Sequence, residues 1–154
     1  MIELNEKTQQ DFLNREWVKR LLDAGVDMSD AKYYIITGII SGIDYILAKE
    51  DIPNYHYRGL PSPTYTVSEL LYKLHEWIYP KIDGEKYAGG LKFCKDAPFY
   101  IFYYHLENED KTKWNEDFIA EFEYPIESLA GLLIQCHTKD IGMKYPDTGN
   151  ISNK

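Results

Sequence analysis

Residues 91–106, LKFCKDAPFYIFYYHL, decide the fold class of this chain, because their pattern is that of two strands joined by a turn. Apolar and polar residues alternate over 91–95, which is typical of a strand with one buried face. The Asp-Ala-Pro triplet at 96–98 is a turn signal. Residues 99–106 are apolar at nearly every position, so we expect a central strand with both faces covered.

A second apolar stretch, residues 31–49, fits three structures on first inspection. A membrane-spanning helix is excluded, because the apolar run is shorter than about 20 residues and contains Asp44. Between a buried helix and a hairpin, residue type decides. Ile and Tyr favour strands, and Gly38 and Gly42 would each weaken a helix by about 1 kcal/mol. The sequence therefore predicts a β-hairpin.

Residues 5–24 carry the apolar periodicity of an amphipathic helix, with Trp17 and Leu21 on the same stripe. Thr8 is the predicted N-terminal cap of this helix. Gly25 follows the last apolar position and is expected to end the helix, because glycine adopts the left-handed cap conformation without strain.

The clearest predicted helix starts after Thr66, because Thr66 and Glu69 have the spacing of a capping box. Pro80 is expected to end this helix, since proline cannot continue it. Residues 50–65 are predicted to form a loop because several prolines interrupt them. A last helix is predicted for 126–138. The apolar stripe of the clearest helix consists of Val67, Leu70, Leu71, Leu74, Trp77 and Ile78.

These elements predict one α+β domain over residues 1–144, with an antiparallel sheet, helices packed on one face and the order α-ββ-α-ββ(β)-α. Residues 145–154 have little to bury and are expected to form a flexible tail. An exposed edge strand at 99–106 would be an aggregation hazard, so this strand should be central or buried in a homodimer.

The chain is acidic, with a formal net charge of −8 from 25 acidic and 17 basic residues among 154. This charge repels phosphate backbones and anionic lipids, so we expect neither nonspecific nucleic-acid binding nor membrane binding, and a basic protein partner fits better. The N-terminal sequence has no apolar signal segment, and Cys94 and Cys136 form no CxxC pair. We therefore expect a reduced, cytoplasmic protein.

Sequence motifs for catalysis are absent. The chain has no HxxxH, HExxH or CxxC spacing for a metal, no GxSxG nucleophile turn and no P-loop. The sequence therefore predicts no metal, no cofactor and no catalytic residues, and it favours a non-enzymatic function. Two alternatives stay open: a zinc site assembled from distant residues, and a thiol–imidazole pair of Cys94 and His105 on neighbouring strands.

Aromatic residues make up 15% of the chain, and residues 54–58 form a dense polar-aromatic cluster. Its rings can stack, its histidine can titrate and its arginine can bind an anion. We expect this loop, with two residues of the aromatic strand, to bind a protein partner. The alternative is a small-molecule binder or enzyme that uses the loop for a nucleotide or metabolite. The candidate binding residues are Tyr55, His56, Tyr57, Arg58, Tyr103 and His105.

The order of these elements, with the segments LDAGVDMS at 22–29, LPSPTYTVSELL at 60–71 and SLAGLL at 128–133, resembles a set of small uncharacterised proteins of phages and mobile elements of gut bacteria. The resemblance covers most of residues 15–137. It implies that the second apolar stretch, residues 31–49, forms a hairpin. It implies no particular activity. With the acidic, tyrosine-rich composition, it leads us to expect an accessory factor that engages a host protein.

Overall fold

The computed structural model describes residues 1–139 and shows helices combined with antiparallel sheets, which confirms the predicted α+β class. The tail predicted for residues 145–154 lies outside the described residues. In the described part, α-helices span Arg15–Asp23 (α1), Val67–Lys73 (α2) and Pro125–Thr138 (α3), and a 3-10 helix spans Lys49–Asn54. The strands are Ile2–Glu3 (β1), Tyr33–Thr37 (β2), Asp44–Ala48 (β3), Arg58–Thr64 (β4), Trp77–Ile78 (β5), Lys81–Ile82 (β6), Glu85–Asp96 (β7), Phe99–Asn108 (β8), Trp114–Asn115 (β9) and Ile119–Phe122 (β10).

The strands divide between two antiparallel sheets, where the sequence analysis expected one. Sheet A has the strand order β1-β3-β2-β4, and sheet B has the order β10-β8-β7-β5, with β6 paired to β7 and β9 paired to β8. Chain connectivity accounts for the division, because α2 separates the last strand of sheet A from the first strand of sheet B. Strand β8 is paired on both sides, as its apolar sequence predicts.

The stretch at 31–49 forms the predicted hairpin, in which β2 pairs with β3 up to Thr37 opposite Asp44. A polar network ties this hairpin to the start of α1. Arg15 donates to Asp44 Oδ2 at 3.1 Å and to Thr37 Oγ1 at 2.9 Å. The Thr37 hydroxyl donates to Asp44 Oδ1 at 2.8 Å. Asp44, which argues against a membrane span in the sequence, therefore anchors the turn end of the hairpin to a helix.

Helix α1 begins later than predicted. Asn14 is its N-cap, and the Asn14 side chain accepts the Trp17 backbone N–H at 3.0 Å. Thr8, the predicted cap, instead donates its hydroxyl to the Glu3 carbonyl oxygen at 2.7 Å, within a run of turns. The predicted start was wrong because Asn14 is a stronger cap and satisfies the free N–H groups of the first turn. The predicted glycine end is confirmed, since Gly25 has a φ of 90°.

Helix α2 starts as predicted but ends earlier. The Thr66 hydroxyl accepts the Glu69 N–H, and the Glu69 carboxylate accepts the Thr66 N–H, so the predicted capping box is present. The helix ends at Lys73 rather than just before Pro80, and Trp77–Ile78 pair with β7 as strand β5. The predicted end was wrong because strand pairing, which apolar periodicity does not report, overrides helix propensity here.

Residues 58–64, predicted to belong to a loop, form β4 at the edge of sheet A. The loop was predicted because a proline lacks the N–H that a central strand needs. Two of the prolines in this segment, Pro61 and Pro63, lie in β4. Only one side of an edge strand is paired, so proline is tolerated there. The two prolines also hinder pairing of this edge with another chain.

The main core lies between sheet B and the helices. Tyr104 and Leu106 of β8 are fully buried, and the Tyr104 hydroxyl donates to the His75 carbonyl oxygen at 2.6 Å, which satisfies its polar tip. Helix α3 packs on β8 and β10 and contacts α1 and α2. The three helices therefore share one core with the covered side of sheet B, which we call the inner face.

Tyr65 joins the start of α2 to the segment that follows α1. Its buried side chain donates a hydrogen bond to Asp30 Oδ1 at 2.5 Å, and the hydroxyl also lies 3.1 Å from the Asp27 carbonyl oxygen. Lys73 forms an ion pair with Asp30 at 3.0 Å. Burial, followed by the hydrogen bond and the charge of Asp30, raises the pKa of Tyr65. The hydroxyl therefore stays protonated and acts as a donor.

Removing the Tyr65 hydroxyl should destabilise the fold. We expect Tyr65→Phe to lower the free energy of unfolding by about 2 kcal/mol, because a charge-assisted hydrogen bond is lost while Asp30 remains. Tyr72→Phe is the matched control, since Tyr72 lies on α2 and is 83% exposed. The control should change the free energy of unfolding by less than about 0.5 kcal/mol in urea denaturation at pH 7. Equal losses for the two variants would contradict the role of the hydroxyl.

The Asp30 carboxylate should make stability fall in acid. Partial burial raises its pKa, but hydrogen bonds from Tyr65 and Lys73, with the Lys73 charge, outweigh burial, so the pKa lies below its ordinary value. The folded state therefore binds this proton less readily than the unfolded state. The resulting stabilisation is present above about pH 4 and is lost as the pH falls further.

Urea denaturation between pH 7 and pH 3 checks this pH dependence. Asp30→Asn should be less stable than the parent at pH 7 and should lose less stability below about pH 4, because the variant has no carboxylate to protonate there. Stability curves of the two proteins that run parallel over the whole range would count against this role of Asp30.

Candidate functional site

The side of sheet B opposite the inner face carries its own set of side chains, because side chains alternate along a strand. The register of β7 and β8 places Tyr104 beside Leu91 on the inner face and Tyr103 beside Lys92 on the other side. The pairing of β10 with β8 places Ile119 beside Tyr103. We call this second side the outer face. Its central residues are Trp77, Gly90, Lys92, Cys94, Ile101, Tyr103, His105, Glu107, Trp114, Ile119 and Glu121.

The outer face is open in the part of the chain that the structure describes. Trp77, Trp114 and Ile119 are 47%, 70% and 41% exposed, and Ile101 and Tyr103 are half-buried. The prediction that both faces of the aromatic strand are covered was wrong, because the helices pack on the inner face only. An apolar surface rimmed by polar residues is typical of an interaction site.

Trp77 packs against the sheet at a position where the neighbouring strand has no side chain. Trp77 is paired with Gly90 across β5 and β7. A Cβ on Gly90 would lie 3.2 Å from Cε3 and 3.3 Å from Cζ3 of the indole, so the six-membered ring rests on the glycine. The Trp77 residue is still 47% exposed, so part of the indole is accessible to a partner.

His105 lies between two carboxylates in the row beside this indole. Its Nδ1 is 2.7 Å from Glu116 Oε2, and its Nε2 is 3.6 Å from Glu107 Oε1. An ionised carboxylate only accepts hydrogen bonds, so Nδ1 is the donor to Glu116. Gly90 is paired with His105 as well as with Trp77. Trp77 and His105 therefore lie in one row, two strands apart, with Gly90 between them.

Contacts from α3 close the edge of sheet B at β10. The Gln135 side-chain amide accepts the Ile119 N–H at 2.9 Å and donates to the Ile119 carbonyl oxygen, as a neighbouring strand would. The Ser128 hydroxyl accepts the Phe122 N–H at 3.0 Å at the other end of the strand. With the prolines of β4, these contacts protect one edge of each sheet from pairing with another chain. The outer face is therefore a better surface for association than either of these edges.

The predicted loop residues lie beside sheet A. Tyr55 caps the 3-10 helix, Tyr57 is half-buried, and Arg58 begins β4 opposite Thr37. His56 lines a shallow recess of about 560 Å³. The other residues that line this recess are Met1, Gly38, Ile39, Ile40, Ser41 and Tyr45.

The turn of the β2–β3 hairpin presents apolar side chains beside this recess. Ile40 is 100% exposed and Ile39 is also exposed. The Arg58 guanidinium lies against the turn, 2.8 Å from the place where a Cβ on Gly42 would be, and Gly42 has a φ of 66°. Glycine fits this position because the left-handed backbone disfavours other residues and the guanidinium occupies the space.

The structure brings some predicted site residues together and separates others. Tyr103 and His105 lie two residues apart on the outer face, whereas residues 55–58 lie beside sheet A. The two groups therefore belong to different sheets. Cys94 pairs with Ile101, four positions from His105 along the hairpin. This separation is about 13 Å, so the thiol–imidazole alternative is wrong.

Most residues of this region were not predicted as binding residues, among them Trp77, Trp114, Glu116 and Ile119. Apolar periodicity assigns Trp77 to a helical stripe, which would turn its side chain toward the core. The Ala-Gly-Gly segment at 88–90 carries a usable signal, because glycine inside a strand often marks the close approach of a side chain or backbone. No pattern in the sequence indicates which face of β8 stays open.

Among the described residues, no group of three or more His, Cys, Asp or Glu side chains is placed to hold a metal ion. Within 1–139, no helix is long and apolar enough to cross a membrane. No protein-family model, curated protein or solved structure matches this chain.

The exposed isoleucine at the hairpin turn should be dispensable for stability. We expect Ile40→Ala to change the free energy of unfolding by less than about 0.5 kcal/mol, because this side chain buries nothing. Ile46→Ala is the control, since Ile46 lies on β3 of the same hairpin and is buried. It should cost about 3 kcal/mol in urea denaturation. A comparable loss for Ile40→Ala would show that the turn packs in the folded protein.

Proposed function

We propose that this chain is an interaction protein that binds a basic protein partner through the outer face of sheet B. The open sheet face carries the proposal, because Trp77, Trp114 and Ile119 are accessible there while the inner face of the same sheet is packed around Tyr104 and Leu106. Antiparallel sheets with one covered face commonly have polar residues on the solvated face. An aromatic and aliphatic face on the solvent side departs from that pattern and supports a role in binding.

The residue types on the outer face suit a protein interface. Trp and Tyr are enriched among the residues that dominate interface binding energy, and they work best at the centre of a patch with a polar rim. Tyr103 has Lys92 and Ile119 beside it, and charged residues follow toward the ends of the strands. The outer face therefore combines aromatic and aliphatic side chains with charged ones, as protein interfaces do.

The charge of the whole chain favours a basic partner. Glu107 and Glu121 lie on the outer face and Glu116 lies beside it, and alternation along β7 places Lys92 and Lys86 on the same face. The net charge of the whole chain is −8. Complementary charge speeds encounter and rejects acidic competitors. A second copy of the chain is disfavoured as the occupant, because two chains that each carry a net charge of −8 repel each other.

The small-molecule alternative has less support from the geometry. It needs residues 54–58 to act together with Tyr103 or His105, and the two groups belong to different sheets. Following the resemblance to phage and mobile-element proteins, we propose that the chain is an accessory factor and that its partner is a protein of the bacterial host.

Selection from a random peptide display library, with the full chain as bait, tests the proposed function. We expect the enriched peptides to carry net positive charge and to lose affinity about tenfold with Tyr103→Ala, which removes a ring from the outer face. Ile119→Ser repeats the test at a more exposed position, so that a folding defect is not mistaken for lost binding. Ile40→Ala, on sheet A, is the control and should bind as the parent does.

Two results of this selection would overturn the proposed function. One is a set of enriched peptides that bind the outer-face variants and the parent equally. The other is a selection that yields no peptide, or only peptides without positive charge.

A further inference from the structure

We infer that two copies of this chain associate by antiparallel pairing of β7 with β7 along residues 92–96, with Cys94 of one copy opposite Cys94 of the other. The contact joins sheet B of the two copies at its edge. The inference goes beyond the proposed function and does not depend on it, because an edge of sheet B makes this contact and the outer face makes the other.

The edge of β7 that faces away from β8 is free over residues 92–96. On that side β6 pairs at residues 85–86, β5 pairs at residues 89–90, and the Leu91 N–H donates to the Glu76 carbonyl oxygen at 2.8 Å. No other strand within residues 1–139 pairs there. Residues 92–96 are all exposed, and the turn at 97–98 ends the strand. The free edge is therefore short and bounded at both ends.

The direction of the backbone groups decides which residues of this edge can pair. The N–H and C=O of one residue point to the same side of a strand, and the side alternates from each residue to the next. The Leu91 N–H points toward β5, so the backbone groups of Phe93 and Lys95 point to the free edge. Unpaired groups in such a row are a template for pairing with another strand.

One antiparallel register uses all these groups and is symmetric. With Cys94 at the centre, Phe93 of each copy lies opposite Lys95 of the other, and both residues of such a pair exchange their N–H and C=O groups. A twofold axis through the centre produces this pair twice. At the ends of the segment, Lys92 of each copy lies opposite Asp96 of the other. Opposite charges in directly opposed positions stabilise the pairing of two strands.

The neighbouring registers are less favourable. A register centred on Phe93 would place Lys95 opposite Leu91, whose N–H already bonds to Glu76. A register centred on Lys95 would place two lysines opposite each other, and like charges in that position are destabilising. The free length and the charges therefore select the register centred on Cys94.

The exposed ring of Phe93 also gains from this pairing. It packs on Phe102 with the ring centres 4.9 Å apart, yet Phe93 is 53% exposed. In the selected register, Lys95 of the second copy lies beside this ring, and the apolar stem of a lysine can cover it.

The acidic net charge of the chain does not prevent contact at this edge. Lys92 and Lys95 outnumber Asp96 along it, so the edge itself is not acidic. Repulsion between the exposed charges elsewhere on the two copies is screened beyond about 8 Å in physiological salt. Among the described residues, Lys92 and Asp96 form no ion pair. Each is therefore available to the second copy.

Sedimentation velocity of the full chain at increasing concentration tests the pairing. Such a short edge contact falls below the about 1,200 Å² of a stable interface, so we expect a dissociation constant on the order of 100 µM. Lys95→Pro should weaken the dimer more than about tenfold, because proline has no N–H to donate across the edge. Lys95→Ala is the matched control, since it removes the same side chain and keeps the N–H. It should stay within about threefold of the parent.

Reversing the charge of Asp96 separates this register from general electrostatics. Asp96→Lys makes the chain less acidic, so general repulsion predicts a tighter dimer. The proposed register predicts a dimer about tenfold weaker, because two lysines then oppose each other at both ends of the segment. Adding Lys92→Asp to that variant restores the opposite charges and should return the dissociation constant to within about threefold of the parent.

Oxidation by diamide, which takes up the two thiol hydrogens and becomes a hydrazine, checks which residues are opposed. Opposed residues that exchange no backbone hydrogen bonds lie about 4.5 Å apart between their Cα atoms, so a disulfide between the two Cys94 residues can form. Cys94→Ser should abolish this crosslink, because Cys136 is buried.

A mixture of two variant chains repeats the check in the Cys94→Ser background. A chain with Lys92→Cys should crosslink to a chain with Asp96→Cys, and that mixed dimer keeps one Lys92–Asp96 pair. The Lys92→Cys chain alone should not crosslink to itself, because its thiols would lie about 13 Å apart along the strands.

The inference is overturned if the chain remains a monomer up to about 500 µM, well above the expected dissociation constant. It is also overturned if Lys95→Pro dimerises as well as Lys95→Ala does, if Asp96→Lys tightens the dimer or leaves it unchanged, or if the Lys92→Cys chain crosslinks to itself as fast as to the Asp96→Cys chain. None of these results bears on the peptide selection, which depends on the outer face.

Discussion

The pairing of β7 with β8 at Gly89 is the contact on which the rest of the structure depends. A Cβ on Gly89 would lie 1.7 Å from the His105 carbonyl oxygen, so only glycine lets the two strands approach this closely. Because side chains alternate along a strand, a slip of one residue would turn Tyr104 and Leu106 toward solvent. The glycine and the two buried side chains therefore select the same register. Strands β5, β9 and β10 then pair with the hairpin that this register defines.

Gly89 and Gly90 are adjacent in the chain but serve opposite faces of sheet B. Gly89 belongs to the inner face, where it permits the close backbone approach, and Gly90 belongs to the outer face, where it leaves room for the Trp77 ring. The register that buries Tyr104 also brings Tyr103 and His105 to the open side. The core and the proposed binding surface are thus two consequences of one strand pairing, and a change in register would lose both.

The exposed and protected surfaces of this protein point to binding of the basic partner through a face rather than through an edge. The side chains of Gln135 and Ser128 hydrogen-bond to backbone groups at the ends of β10. In sheet A, two residues of the edge strand β4 are prolines, which have no N–H to pair. The side chains of Trp77 and Ile119 meanwhile remain accessible. Burying each of them would stabilise the folded protein by about 1.5–3 kcal/mol. A fold that protects one edge of each sheet and leaves these side chains open is suited to a partner that covers the outer face.

The sequence by itself determined the features that depend on near neighbours: the capping box at Thr66, the glycine after α1, the hairpin at 31–49 and the strand character of 99–106. Each follows from hydrogen bonds within a few residues or from a local apolar pattern. All the residues that form such a pattern lie in one short stretch of sequence, so the sequence alone shows it. The tertiary structure alone decided that the strands form two sheets, that Trp77 lies on a strand and that Tyr103 and His105 share an open face while residues 55–58 lie elsewhere. Whether a face is buried depends on which distant segment packs against it, and an apolar strand has the same local pattern in either case.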